Sequence, residues 1–356
     1  MLTVVSGPEP TVAEPDRVGS APHPREMLSL VGHREGEAEF LEAYRAGRLH
    51  HAWLIGGPEG IGKATLAYRM ARFMLANPDP SHHQVQAATS LDVPASHPVA
   101  HQVASNAHPD LAMIRRIYDP EKKRVLTEIS ADQVRKGLDV FNKTSAAGGF
   151  RIAIVDACDD LNSHSANALL KTLEEPPRQS LFLMVAHQPL RLLPTIRSRC
   201  RALNLRPLSV AEVENVTAGL PDFAELDITL HQRAAALSDG SVKQALGLLD
   251  PKRLDFNDKV EAALARLPRI NPEEIDAIAE LTAGRDGEVA FDRFCTLCQA
   301  WLTRELNRRA GQNGALMPVA ELWTRLEDQR RDVEVYNLDK RPFVISMLAD
   351  FAATAR

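Results

Sequence analysis

The sequence has no surplus of basic residues: 42 Lys and Arg stand against 47 Asp and Glu, for a net charge of −5. A domain that grips DNA by itself normally carries such a surplus, so any contact of this chain with DNA is expected to be shared with partners. Cysteine is scarce. The four present, Cys158, Cys200, Cys295 and Cys298, lack the spacing of a secreted disulfide framework. No apolar run approaches the ~20 residues of a membrane span, and no membrane contact is expected. The opening MLTVVSGPEP has neither the basic region nor the apolar stretch of a signal peptide, so the expected compartment is the cytoplasm.

What is there describes an ordinary globular chain, with 44% hydrophobic and 25% charged residues. Its 356 residues suggest two or three domains at roughly 100–200 residues each. Residues 1–24 hold five prolines and few large apolar side chains, a composition expected to leave a disordered tail. From 25 to 206, short apolar runs (AWLI at 52–55, LAMI at 111–114, RIAIVD at 151–156, LFLMVA at 181–186, RALNL at 201–205) alternate with helical stretches. Near-continuous apolar strands separated by helices predict an α/β domain, a parallel sheet covered on both faces. Residues 78–107, rich in His, Ser, Ala and Pro, interrupt that rhythm and are expected to form an insertion loop. After Pro207 no strand is predicted. Ser209 with Glu212 forms a capping box that opens a small helical domain over 207–254. A second helical domain follows over 255–356, in which Asn271-Pro272 starts a helix. Phe291, Phe294, Cys295, Cys298 and Leu302 fall on one helical face, so the Cys295/Cys298 pair reads as core packing and not as a redox couple.

One loop carries phosphate chemistry. The AWLI strand runs into Gly56-Gly57-Pro58-Glu59-Gly60-Ile61-Gly62-Lys63-Ala64-Thr65 and then a helix. Glycines let the backbone N–H groups turn toward a phosphate at the positive end of that helix, and Lys63 would reach the outer phosphates. Gly57, Gly62 and Lys63 have the P-loop spacing, but the residue after the lysine must be Ser or Thr to hold Mg²⁺. Here it is Ala64, and Thr65 stands one position late and is expected to point elsewhere. Asp156 ends a strand where a second metal-binding aspartate belongs, yet Ala157 follows it where an ATPase of the AAA+ class needs a water-activating glutamate. Asp159 and Asp160 are expected to be a solvated helix start. The loop reads either as a relic or as a site that still binds nucleotide, and the two vacancies together argue against hydrolysis. The degenerate site comprises Gly57, Gly62, Lys63, Thr65 and Asp156.

The most specific segment is Asn167-Ala168-Leu169-Leu170-Lys171-Thr172-Leu173-Glu174-Glu175-Pro176-Pro177. It is an amphipathic helix with Leu169, Leu170 and Leu173 inward, stopped by two prolines. It resembles the NALLKTLEEPP block of bacterial clamp-loader subunits. Leu193-Pro194-Thr195-Ile196-Arg197-Ser198-Arg199-Cys200 resembles the SRC motif of that family and of replication factor C. Gly47-Arg48-Leu49 with His51-Ala52-Trp53, and Asn337-Leu338-Asp339, extend the resemblance over about 28–350.

The chain is thereby identified as a member of the AAA+ clamp-loader family of DNA polymerase III. The vacancies at Ala64 and Ala157 point to the delta-prime branch over the ATP-hydrolysing gamma or tau branch, which is the alternative. An unrelated P-loop phosphotransferase would leave the helix and the SRC block unexplained. The resemblance implies a RecA-like AAA+ domain, a helical lid and an all-α collar that joins subunits in a ring. It implies a non-catalytic subunit of a DNA-directed DNA polymerase complex, with gamma/tau and delta subunits as partners. The beta sliding clamp and primer-template DNA would be met through the complex. Arg199 would act as an arginine finger in trans, with no cofactor required. Where the family often has a four-cysteine zinc module, this insertion has none. His97 and His101, with His82, His83 and His108 nearby, are scattered loop histidines, and no metal is expected. Ala186-His187 stands at the sensor-1 position. Lys243, in Gly240-Ser241-Val242-Lys243, stands where active members have Arg, or is simply an exposed helix charge.

Overall fold

The computed structural model describes residues 2–5, 7, 14–122, 124–145, 148–284, 287–312, 315–336 and 338–355. Two compact units divide the chain, 1–247 and 248–356.

The first unit is built on a parallel sheet. Its strands are β1 (Ala52–Gly56), β2 (Leu111–Arg115), β5 (Arg151–Asp156), β6 (Ser180–Ala186) and β7 (Arg201–Asn204), while β3 (Tyr118–Asp119) and β4 (Arg124–Val125) form a separate hairpin. The order is β2-β5-β6-β1-β7, and every ladder is parallel, with Leu54 opposite Met184 and Ile154 opposite Leu183. This is the RecA-like AAA+ arrangement, and each of the five apolar runs lies on one of its strands. β6 lies inside the sheet with all seven residues buried, which is why its sequence shows no alternation. Trp53 is fully buried, with Phe40 edge-on at 5.2 Å and the Arg201 guanidinium 4.7 Å from its ring. The helix Ser163–Glu174 begins at Asn162, whose side chain accepts from the N–H groups of His164 and Ser165. It buries Leu169 and Leu173, while Leu170 is only partly buried.

Two expectations for this unit are corrected. Residues 78–107 are not a free loop: they contain the helices His83–Ala87 and Pro98–Ala104. Val85, Leu91, Val93, Val99 and Val103 join the main core, and His97 caps the second helix through Val99 N–H. The expected disordered tail is also placed where it is described. Val4 bridges Met27 antiparallel, Val5 N–H donates to Glu26 O, and Leu28 N–H donates to Thr3 O. Residues 1, 6 and 8–13 of that tail lie outside the described residues. Charge holds its remainder together with a small apolar contact of Ala21 with Leu220: Arg115 on β2 lies 3.0 Å from Glu14 and 2.8 Å from Asp16, Arg25 lies 2.6 Å from Glu14, and Arg17 lies 2.7 Å from Glu26.

The helices after Pro207, Val210–Gly219 and Ile228–Ala236, belong to the same unit. Ser209 and Glu212 form the reciprocal capping box. The expected boundary at 254/255 falls within one continuous helix, Pro251–Ala265, so a break there would cut a helix.

The second unit is all helical among its described residues. Asn271 accepts from Glu273 N–H at the start of Pro272–Ala283. The stripe Phe291, Phe294, Cys295, Cys298 and Leu302 is buried along Gly287–Gly311, where Phe343 meets Phe291 at 5.1 Å. Asp339 caps Lys340–Thr354 through Arg341 N–H, and Asn337 lies outside the described residues. No described helix is long and apolar enough to cross a membrane.

Candidate functional site

The phosphate loop leaves β1 and enters the helix Lys63–Ala76 at Gly62. Gly57 and Gly60 have φ of 144° and 78°, in the region that favours glycine. A Cβ at Gly57 would lie 2.6 Å from Leu205 O, and one at Gly60 would lie 2.3 Å from Ser241 Oγ. Gly60 was not singled out from the sequence, because its constraint comes from a segment 180 residues away: Val242 N–H donates to Gly60 O at 2.9 Å. Lys243 extends that contact, with Nζ 2.6 Å from Glu59 Oε1. His33 Nε2 lies 2.7 Å from Ile61 O, another neighbour the motif does not reveal.

A cavity of about 200 Å³ opens beside the loop, lined among others by Asp16, Lys63, Asp156, His187, Leu220 and Lys243. Small-molecule sites usually enclose about 300–1,000 Å³. Gly62, Lys63, Thr65 and Asp156 all line it. Gly57 instead accepts from Lys63 Nζ at 2.7 Å, and Pro58 O accepts from the same nitrogen at 2.5 Å. Lys63 is thus tied to its own loop and is 3% exposed. Burial, partly countered by the charges of Asp156 and Glu59, brings its ammonium down to about 8. Burial pushes the Asp156 carboxyl up to about 7, and the nearby Asp16 charge adds to it.

The oxygen that a phosphate loop offers Mg²⁺ is missing at Ala64. Burial disfavours the ionised form of Asp156, and Asp16 lines the same cavity. Asp159 and Asp160 are not simply solvated. Asp159 accepts the backbone N–H groups of His187 and Gln188 at 2.5 and 2.8 Å, and Asp160 pairs with Arg116 at 2.9 Å. Asp159 therefore shapes the sensor-1 turn. Among the described residues, no group of three or more His, Cys, Asp or Glu could hold a metal ion.

Arg199 stands apart from this cavity. It follows the short helix Pro194–Arg197, and its side chain is about one-third exposed. One nitrogen donates to Thr195 O at 2.8 Å and the other lies 2.8 Å from Glu174 Oε1. Arg201 is committed to Glu39 at 2.8 Å and to the Trp53 ring. Cys200 is partly buried, with Sγ 3.6 Å from Met184 Sδ.

A family model described as DNA polymerase III, delta subunit, matches residues 32–209. The chain is 34% identical over 174 residues to the DNA polymerase III subunit delta' of Pseudomonas aeruginosa, covering 48% of each chain. It is 31% identical over 231 residues to the delta' subunit of Escherichia coli, covering 64% of this chain and 63% of that one. The tau subunit of Escherichia coli is 27% identical over 271 residues, 74% of this chain and 39% of tau. The match thus spans about half to two-thirds of the length of the two delta' relatives.

Proposed function

The chain belongs to the DNA polymerase III delta-prime family, and from that premise we propose that it is a non-motor subunit of the sliding-clamp loader that presents Arg199 to a neighbouring ATPase site. In this reading 25–206 form the AAA+ domain and the helices after Pro207 the lid. The second unit is the collar that assembles with gamma/tau and delta subunits in the cytoplasm. The ring would load the beta clamp on primed DNA during replication.

The observation that carries the reading is that Arg199 lies outside the cavity of its own phosphate loop, while that loop lacks both the metal oxygen and the water base. An arginine with no use in cis is available in trans. Its planar, permanently charged fork can bridge two phosphoryl oxygens, and such fingers are worth ~10³–10⁵ in rate in GTPases.

The test is the reconstituted loader. Arg199→Ala should lower clamp- and DNA-stimulated ATPase without abolishing it, because one active site is affected directly, and assembly should persist. Arg199→Lys should rescue poorly, and Arg197→Ala should do little. Unchanged ATPase and loading in an intact Arg199→Ala complex would refute the role. Sustained ATP turnover by the purified chain alone would favour a motor subunit instead.

A further inference from the structure

Two blocks that β6 separates in sequence meet in space at an ion pair. Glu174 ends the helix Ser163–Glu174, and Arg199 follows the helix Pro194–Arg197. Glu174 Oε1 lies 2.8 Å from Arg199 Nη2. The acid is an odd choice for its position. The C-terminal end of a helix carries partial negative charge and favours cations, yet this helix ends on a carboxylate. Leu169 and Leu173 are buried along the helix, and Pro176-Pro177 keep it from continuing. Burial of Leu173 therefore fixes where the last turn ends and where Glu174 projects. A guanidinium set against that end answers both the carboxylate and the helix dipole.

Arg199 is fixed on its own side as well. Its N–H donates to the carbonyl of buried Ile196 at 3.1 Å, and Cys200 N–H donates to Arg197 O at 3.2 Å. Cys200 packs against the core beneath the sheet helices, and Arg201 begins β7. The backbone is thus held on both sides, and what remains to be ordered is a long side chain. Ordering such a chain at the moment of docking costs rotamer freedom unless neighbours have already restricted it. Here two groups do so: Thr195 O accepts from Nη1 at 2.8 Å, and Glu174 meets Nη2. Held at both terminal nitrogens, the guanidinium keeps its remaining N–H donors open to oxygens of another molecule.

Resting on the reading that Arg199 acts in trans, we infer that Glu174 is a positioning residue for that arginine. It aims the guanidinium beforehand, so that a neighbouring ATPase subunit does not have to order it on docking. The acidic end of the NALLKTLEEPP block thereby has its use in the SRC block. Glu174 acts only through Arg199. Its effect belongs to the chemical step more than to ATP binding, because the arginine is needed most where charge builds on the transferring phosphate.

The experiment uses the loader reconstituted with the full chain. Clamp- and DNA-stimulated ATPase is resolved into kcat and KM for ATP, and assembly is followed by gel filtration. Arg199→Ala sets the scale. Glu174→Ala should assemble like the parent and show about half or more of the kcat loss of Arg199→Ala, with KM for ATP within about twofold. Glu174→Gln, which keeps an acceptor oxygen, should fall between Glu174→Ala and the parent. In the Arg199→Ala background, Glu174→Ala should cost nothing further, as expected of two residues that act as one. A glutamate that only supported the fold would lower both backgrounds alike. Glu175→Ala removes a neighbouring charge, leaves the pair in place, and should change little. Four results would overturn the inference while leaving the role of Arg199 standing: an Arg199→Ala loss with none in Glu174→Ala; a rise in ATPase in Glu174→Ala, which would make the pair a latch; a Glu174→Ala loss that persists undiminished in the Arg199→Ala background; or an equal loss in Glu175→Ala. An intact Arg199→Ala loader with parental ATPase would overturn both.

Discussion

Arg199 Nη2 sits 2.8 Å from Glu174 Oε1, so the arginine proposed to act on a neighbour is held, in the free chain, by the last residue of the helix Ser163–Glu174. Both side chains are substantially exposed, and pairs of this kind contribute about 0–1 kcal/mol. Glu174 can therefore aim the guanidinium without holding the fold together. Glu174→Gln and Arg199→Ala should each leave stability within about 0.5–1 kcal/mol of the parent in urea titrations. A much larger loss in either would make the pair structural and weaken the case for an available arginine.

Lys63 is expected to affect stability more than nucleotide chemistry. Its folded-state value of about 8 lies below the ordinary 10.5. Between those values the unfolded chain holds a proton that the folded chain has shed, so stability rises with pH across the window. Below about pH 8 the folded chain bears the full cost of the buried charge. Urea midpoints measured near both ends should rise in the parent and stay flatter in Lys63→Met. Clamp loading by a reconstituted complex carrying Lys63→Ala should remain within a few-fold of the parent, because Ala64 has already removed the metal oxygen.

The five strands were legible because β1, β2, β5, β6 and β7 coincide with the apolar runs, and in β1, β5 and β6 burial on both faces keeps the run continuous. The capping box at Ser209 and the aromatic stripe at Phe291 were legible for the same local reason. The N-terminal segment was not. Its prolines and low apolar content describe a chain with little to bury, and what places it is Arg115, about 100 residues further along. Likewise, the packing of Val85, Leu91 and Val103 depends on the helix Lys63–Ala76, which a composition window over 78–107 cannot see. Within the site, the vacancy at Ala64 was plain from spacing. The bond from Val242 N–H to Gly60 O was not, since no local pattern links the two.

Asp156 should prove a cost to the fold. Its carboxyl is raised from 3.8 to about 7, chiefly by burial. From about pH 4 to 7 the folded chain keeps a proton that the unfolded chain releases, so stability falls as pH rises through that window. Asp156→Asn keeps the shape and removes the charge. It should be more stable than the parent by about 1–3 kcal/mol near pH 8, with the difference shrinking toward pH 4. A destabilised Asn variant at pH 8 would show that the carboxylate makes a favourable interaction that its burial hides.

The second unit should lose stability independently. Phe294 is fully buried and meets Phe343 edge-on at 6.4 Å. Phe294→Ala removes that contact and leaves a cavity, at a cost of about 3–5 kcal/mol. Because the chain forms two compact units, the loss should appear as an early transition of 248–356, and exchange protection over β5 and β6 should persist. If the second unit is the collar, the variant should also fall out of complexes with gamma or tau in gel filtration. Assembly retained with the unit unfolded would contradict that assignment.

Acid should release the N-terminal segment before the sheet gives way. Burial of Glu14 is outweighed by hydrogen bonds from Arg25 and Arg115, which hold its carboxyl at about 2, well below the usual 4.5. Asp16 is lowered in the same way, its burial outweighed by His23 and Arg115. For both groups the stabilisation is fully present above the ordinary carboxylate range and is lost as pH falls from there toward the folded-state value. Protonation leaves Arg115, whose side chain is 17% exposed, without its anionic partners, and a partly buried charge stripped of its partner is strongly unfavourable. Amide exchange over residues 14–28 should therefore accelerate between about pH 4.5 and 2.5, while β6 stays protected over the upper part of that range. Arg115→Ala should loosen the segment at neutral pH, since it removes the cation that Glu14 and Asp16 share, and should weaken but not abolish the acid response of exchange over 14–28, because Arg25 still pairs with Glu14. A segment that stays protected in Arg115→Ala would mean that the apolar contact of Ala21 and Met27 with Leu220 suffices to dock it.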